Sequence, residues 1–209
     1  MHDVLFNDIY ALFKNQSPNE AIRRFRLNMT EKNVQEPAVK LALIADVQQN
    51  SETDPVLEAM GLCIESDSTQ TYQTLHRLYG PVSIAARLGL LSRILSISWQ
   101  HLSSRTSFGV KTTKHQLIKA EFAEISNQID FMLTQWELRI SQDDYSGIDE
   151  DHWQISFLTN RAEKLMGGHG YLLGNSHSLS YLSVMIYSLY GKSDDEETLF
   201  PVEHIGQPA

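Results

Sequence analysis

Two long apolar stripes decide what this chain can fold into. Ile84, Leu88, Leu91, Leu95, Trp99 and Leu102 recur at steps of four, three, four, four and three. That spacing keeps one face of an α-helix apolar over about five turns and predicts a helix from the mid 70s to about residue 103. Ile118, Phe122, Ile125, Ile129, Met132, Trp136 and Ile140 repeat at steps of four and three on a second long helix. Both stripes must be buried, and the following sequence offers partners. Ile155, Leu158, Ala162 and Leu165 mark a third, shorter helix, and Leu179, Leu182, Ile186 and Leu189 mark a fourth. The expected fold is all-α, built around an antiparallel four-helix bundle from about residue 72 to about 192.

The connections carry helix-ending chemistry. In RTSFGVKTTKHQ, Gly109 suits a left-handed cap past the first long helix, and Thr112 or Thr113 suits the N-cap of the second. After Ile140, QDDYSGIDEDH is expected to be a solvated acidic loop, its acids too scattered for a metal site. The third helix ends in KLMGGHGYL, with three glycines in four positions. A C-cap with a tight turn and a backbone left bare for a ligand both explain them. Residues 1 to 70 are expected to pack short helices on the bundle. Ser17-Pro18-Asn19-Glu20 matches a capping box with proline at the first helical position, and Pro37 and Asp54-Pro55 mark two further helix starts. No alternating run predicts a strand, and the tail from Asp194 lacks any periodicity.

A net charge of −9 argues against broad capture of nucleic acid or of an anionic membrane surface. Arg87, Arg93 and several serines interrupt Val82 to Trp99, so that stretch is expected as a buried helix rather than a membrane span. The opening MHDVLFNDIYALFKNQ has no basic segment ahead of an apolar core, unlike a secretory leader. A single cysteine, Cys63, leaves no disulfide framework or thiolate cluster, and a cytoplasmic location is expected.

Two motifs then resemble one family. In GLLSRILSISWQHLSSRTSFGVKTTKHQLIKAEFAEI, Arg105, two spacers, Phe108-Gly109 and Gln116 opening the next helix resemble the signature of acyl-CoA dehydrogenases. Lys164-Leu165-Met166-Gly167-Gly168-His169-Gly170-Tyr171 resembles their second motif, a glutamine, two apolar residues and GG-x-G-aromatic. The likeness covers about residues 72 to 193, the family's C-terminal helical domain, and its motifs stand in the family's order. It implies a FAD site shared across a subunit interface, formed by Arg105, Ser107, Phe108, Gln116, Lys164, Gly167 and Gly168. Arg105 would contact pyrophosphate, Ser107 and Gln116 would hydrogen-bond the nucleotide, and Gly167 and Gly168 would admit it. The chemistry is apt, because guanidinium is a bidentate phosphate donor and glycine lets backbone approach a bulky ligand.

The departures shape the functional expectation. The family's catalytic glutamate falls where Tyr187-Ser188-Leu189-Tyr190-Gly191-Lys192-Ser193 has Gly191, and its alternative position falls near Tyr79, with His76 close by. Neither position holds a carboxylate, so no catalytic residue is assigned. The family's β-sheet domain and N-terminal helical domain are not recognisable in residues 1 to 70. Lys164 for glutamine keeps a donor and loses the amide acceptor. The resemblance therefore implies a flavoprotein subunit acting on the CH–CH group of an acyl thioester. A homo-oligomer, or a hetero-oligomer with a larger family member, would complete the site, with acyl-CoA or an acyl-carrier protein as further partners. The alternative is an inactive helical scaffold of the same descent. A third reading, other acyl-thioester chemistry with Tyr190 or His169 as acid or base, ranks below both.

Other residues point elsewhere or nowhere. His169 and His177 have no ligand-spaced carboxylate or cysteine, so no metal is expected. Ser156, Ser176 and Ser178 lack His and Asp partners and a G-x-S-x-G elbow, which excludes a serine hydrolase. Tyr181, Tyr187 and Tyr190 read as core or interface. Arg87 and Arg93 suit interhelical pairs or a subunit contact, and the Leu179 to Leu189 face is expected to contribute to an oligomer interface.

Overall fold

The computed structural model describes residues 2–47, 51–67 and 76–191, so the tail from Asp194 lies outside the described residues. Helices dominate: α1 (His2–Asn15), α2 (Pro18–Glu31), a short α3 (Pro55–Ala59), α4 (Tyr79–Ser103), α5 (Gln116–Ser141), α6 (Ile148–Glu163) and α7 (Ser176–Ile186). The all-α class expected from the stripes is what forms, and α4 is its axis.

Burial on α4 runs all the way round the helix, with every residue from Pro81 to Ser92 enclosed. The reason is that α1 packs along it as well as α5, α6 and α7, so the single stripe understates its contacts. At the α1 crossing, a Cβ on Gly89 would stand 2.5 Å from the Tyr10 carbonyl oxygen. By length and composition α4 could cross a membrane, and 78% of that stretch is buried inside this protein. Trp99 is the exception in the stripe, 41% exposed with its ring edge-on to Phe122.

Residues 32–67 correct the strand-free expectation. β1 (Val39–Leu43), β2 (Ser51–Glu52) and β3 (Leu62–Ser66) form an antiparallel sheet in the order β1-β3-β2, with Leu41 opposite Ile64. Pro37 therefore leads into a strand. β1 is buried at four of its five positions, so it never shows the alternation of a half-exposed strand. α2 lies against it, and the end of the bundle reaches it through Tyr190, whose hydroxyl accepts the Leu41 N–H at 2.8 Å. The Tyr190 ring stacks on Tyr79 at 5.5 Å and leans on Phe25 at 5.3 Å.

Asp54-Pro55 does start a helix: Asp54 accepts the Val56 and Leu57 N–H groups at the head of α3. Ser17 is the N-cap of α2 with Pro18 after it, but the capping box does not close. Ser17 donates instead to Asn19 Oδ1 at 2.5 Å, and Glu20 turns to Arg23 and Arg24. Between α4 and α5 the chain makes a small hairpin, β4 (Thr106–Ser107) with β5 (Val110–Lys111). Phe108 (φ 52°) and Gly109 (φ 80°) both turn left-handed at its tip, so Gly109 is a hairpin residue rather than a helix cap. The N-cap of α5 is His115, one 3₁₀ turn beyond the threonines expected there.

Candidate functional site

The two loops singled out in the sequence meet at one end of α4. His101, in the last turn of α4, stacks on His169 of the glycine loop with ring centroids 4.4 Å apart and an interplanar angle of 11°. Arg105 Nη1 stands 3.2 Å from His101 Nε2. A guanidinium can only donate, so Nε2 accepts and the His101 ring in this contact is neutral. Partial burial, followed by the His169 and Arg105 charges, holds its pKa below the ordinary histidine value. No sequence motif singles out His101, which lies in the last turn of α4 while Arg105 lies just beyond the helix.

The contacts of the remaining predicted residues lie elsewhere. Arg105 and Gln116 are exposed at the two ends of the α4–α5 connection. Ser107 is half-buried, and its carbonyl accepts from His115 Nε2 at 3.2 Å. Phe108 is 97% exposed at the hairpin tip. Lys164 donates to Asn160 Oδ1, one turn back, at 2.6 Å, and makes no recorded contact with the Arg105 loop among the described residues. The geometry thus joins Arg105 to the glycine loop through His101 and leaves Lys164 paired with Asn160 of α6.

The glycines differ in what requires them. α6 gives way to a 3₁₀ segment, Lys164–Tyr171, in which Gly167 takes φ 57° and ψ −147°, a region closed to residues with a Cβ. Gly170 is buried, and a Cβ there would lie 2.3 Å from Ser176 Oγ. Gly168 has ordinary φ and nothing within 4 Å of where a Cβ would be. Backbone explains Gly167 and packing explains Gly170, whereas Gly168 leaves open surface next to His169.

The opposite end of α7 holds a second polar group. Arg87 of α4 is 1% exposed. Its Nε donates to Ser183 Oγ at 3.1 Å, Nη2 to Ser156 Oγ at 2.5 Å, and Nη1 to both His152 Nδ1 at 2.8 Å and the His152 carbonyl at 3.0 Å. With Nδ1 accepting, His152 Nε2 carries the proton and faces Ser83 Oγ at 3.3 Å. Burial lowers the Arg87 pKa to about 10, and burial with the Arg87 charge lowers that of His152 to about 3. Arg87 is therefore an internal group and faces no subunit contact.

This network fills the surroundings of Gly191, which ends a π-helical turn, Tyr187–Gly191. A Cβ on Gly191 would meet His152 Nε2 at 2.6 Å and Tyr187 Cδ2 at 2.9 Å. The second position examined for a carboxylate, Tyr79, is buried against Tyr190 with its hydroxyl donating to the Gln35 carbonyl at 3.3 Å. Burial, ahead of the Glu36 charge, pushes the Tyr79 pKa up, and burial pushes that of Tyr190 up. Neither phenol titrates near neutral pH, and Tyr190 is occupied with the sheet.

The face expected to contribute to an oligomer interface is largely internal. Leu179, Leu182 and Ile186 are at most 3% exposed inside the protein. Large apolar side chains at the surface of the α5–α6 pair include Leu117, Phe131 and Leu138 of α5 and Trp153 and Phe157 of α6, the last two stacked at 5.8 Å.

No protein-family model matches this chain, and no curated protein matches it. Among solved structures it is similar to a chain described as the electron transferring flavoprotein of Acidaminococcus fermentans. The two share 13% identity with a TM-score of 0.39, over 64% of this chain and 38% of that one. The chain thus spans well under half the length of that structure, and a likeness of this grade carries no functional argument.

Proposed function

We propose that this chain is an acyl-CoA dehydrogenase-like subunit that binds the nucleotide half of FAD and leaves the acid–base chemistry of CH–CH dehydrogenation to a partner. The observation that carries the reading is the junction of Arg105, His101 and His169 beside Gly168. It supplies one permanent cation, two stacked imidazoles and a bare backbone surface beside them. These groups fit a diphosphate, for which a guanidinium is a strong donor and against which a side chain at residue 168 would protrude. Bound flavin would supply the hydride acceptor, and this chain's residues would hold its phosphates.

Gly191 and Tyr79 argue that this chain does not supply the base. Restoring a glutamate at residue 191 would drive a side chain into His152. The test is the absorption spectrum of purified protein between about 350 and 500 nm, before and after incubation with excess FAD and desalting. A retained flavin band is expected, and it should fall at least about tenfold in Arg105→Ala, since charge-assisted hydrogen bonds contribute about 1.5–3 kcal/mol. No band in either sample would overturn the reading.

That negative result would favour the second reading, an inactive helical scaffold. The specific observation behind it is the same Arg87–His152 network, which closes the place of the base with structure.

A further inference from the structure

Arg93 is a half-buried cation with no carboxylate partner among the described residues. Arg26, Lys40, Arg139 and Arg161 each stand within 2.8 Å of a carboxylate oxygen. Arg87 is enclosed by histidine and serine acceptors. Arg93 donates from Nη1 to the Gln16 carbonyl, and no carboxylate pairs with it among the described residues. Burial pushes its pKa down, as befits a cation drawn partly out of water.

Arg93 lines a cavity of about 320 Å³ where four elements converge. Ser17 and Asn19 come from the start of α2, Met60 and Gly61 from the end of α3, and Leu179 from α7. The volume sits at the lower end of small-molecule pockets, which run from about 300 to 1,000 Å³. Its walls divide chemically. Arg93, Ser17 and Asn19 offer polar groups, while Met60 and Leu179 offer hydrocarbon. A single cation beside an apolar wall suits a monoanion with an apolar body better than a dianion, which would keep one charge desolvated and unpaired.

We propose that this cavity binds a small monocarboxylate, its carboxylate on Arg93 and its hydrocarbon against Met60 and Leu179. The proposal does not depend on the flavin reading.

The test uses the full chain and sodium hexanoate, with hexan-1-ol as the uncharged analogue, followed through the backbone amide shifts of Gly61 and Gly174, both on the cavity wall. Hexanoate is expected to bind at about 1 mM or tighter, within what a ligand of this size can reach, and hexan-1-ol at least about tenfold more weakly. Arg93→Gln should lose that discrimination, and Arg93→Lys should keep part of it, with circular dichroism confirming that both are folded. Equal binding of acid and alcohol, unchanged affinity in a folded Arg93→Gln, or no shift with about 20 mM hexanoate would each overturn the proposal.

Discussion

Arg87 keeps a guanidinium inside the bundle among neutral acceptors, and the consequence falls on its neighbour. His152 is 1% exposed and its pKa is held at about 3, so the folded protein keeps the ring neutral. In the unfolded chain the ring titrates near its ordinary value of about 6.5. Below that pH the unfolded state takes up a proton that the folded state refuses, so stability falls as pH drops from about 6.5 towards 3. The slope for one proton approaches about 1.4 kcal/mol per pH unit. Urea melts of wild type and His152→Gln between about pH 6.5 and 4.5 isolate the effect, because the carboxylates titrate in both. The wild type should lose stability more steeply, and parallel slopes would refute the assignment. Arg87 was partly legible in the sequence, since it lies three residues after Ile84 and four before Leu91 on a buried face. His152 was not, because a histidine in an acidic first turn looks solvated until α4 is placed against it.

At the level of elements, α1 and α4 cross where Gly89 removes a side chain. Gly89→Ala sets two effects against each other. Helix propensity favours alanine by about 0.8–1.0 kcal/mol. Against it, the new Cβ would sit 2.5 Å from a backbone carbonyl of α1 and 2.9 Å from Phe13 Cβ, neither of which can swing aside as a flexible side chain would. Overpacking of a rigid contact costs about 1–3 kcal/mol, so the substitution should destabilise on balance. A rise in thermal midpoint for Gly89→Ala would show that α1 is loosely held. The long stripes gave α4 and α5 to within a few residues because each buries a face for many turns. The sheet escaped because β1 is covered on both sides and carries Lys40, whose ammonium lies 2.8 Å from Glu36 while its stem is buried. Such a strand shows neither helical spacing nor alternation. The hairpin at Phe108-Gly109 was mistaken for a cap because a left-handed glycine serves both.

For the whole molecule, the outer side of the α5–α6 pair carries both an apolar surface and a charge gradient. Arg161 holds Glu121 and Glu124, and Arg139 holds Asp151, which fixes the two helices antiparallel. Phe131 and Leu138 of α5 and Phe157 and Trp153 of α6 are 48–67% exposed. Residues 105–119 carry Arg105, Lys111, Lys114 and Lys119 with no acid among them. Residues 130–151 carry seven acids against Arg139. A second copy turned by a two-fold axis would lay the basic end of one hairpin on the acidic end of the other, with the aromatic residues between them. Such a pairing is isologous and closed, and both its charge and its apolar parts are self-complementary. Light scattering on size-fractionated protein should give twice the chain mass of 23.8 kDa at low salt. About 1 M NaCl shortens the screening length to about 3 Å, so it should weaken the dimer by removing the end-to-end attraction and leave the aromatic contact in place. Trp153→Asp, at a surface position of α6, should give folded monomer. Monomer for the wild type at about 100 µM, well above the range of a specific interface, would exclude a dimer built on this face.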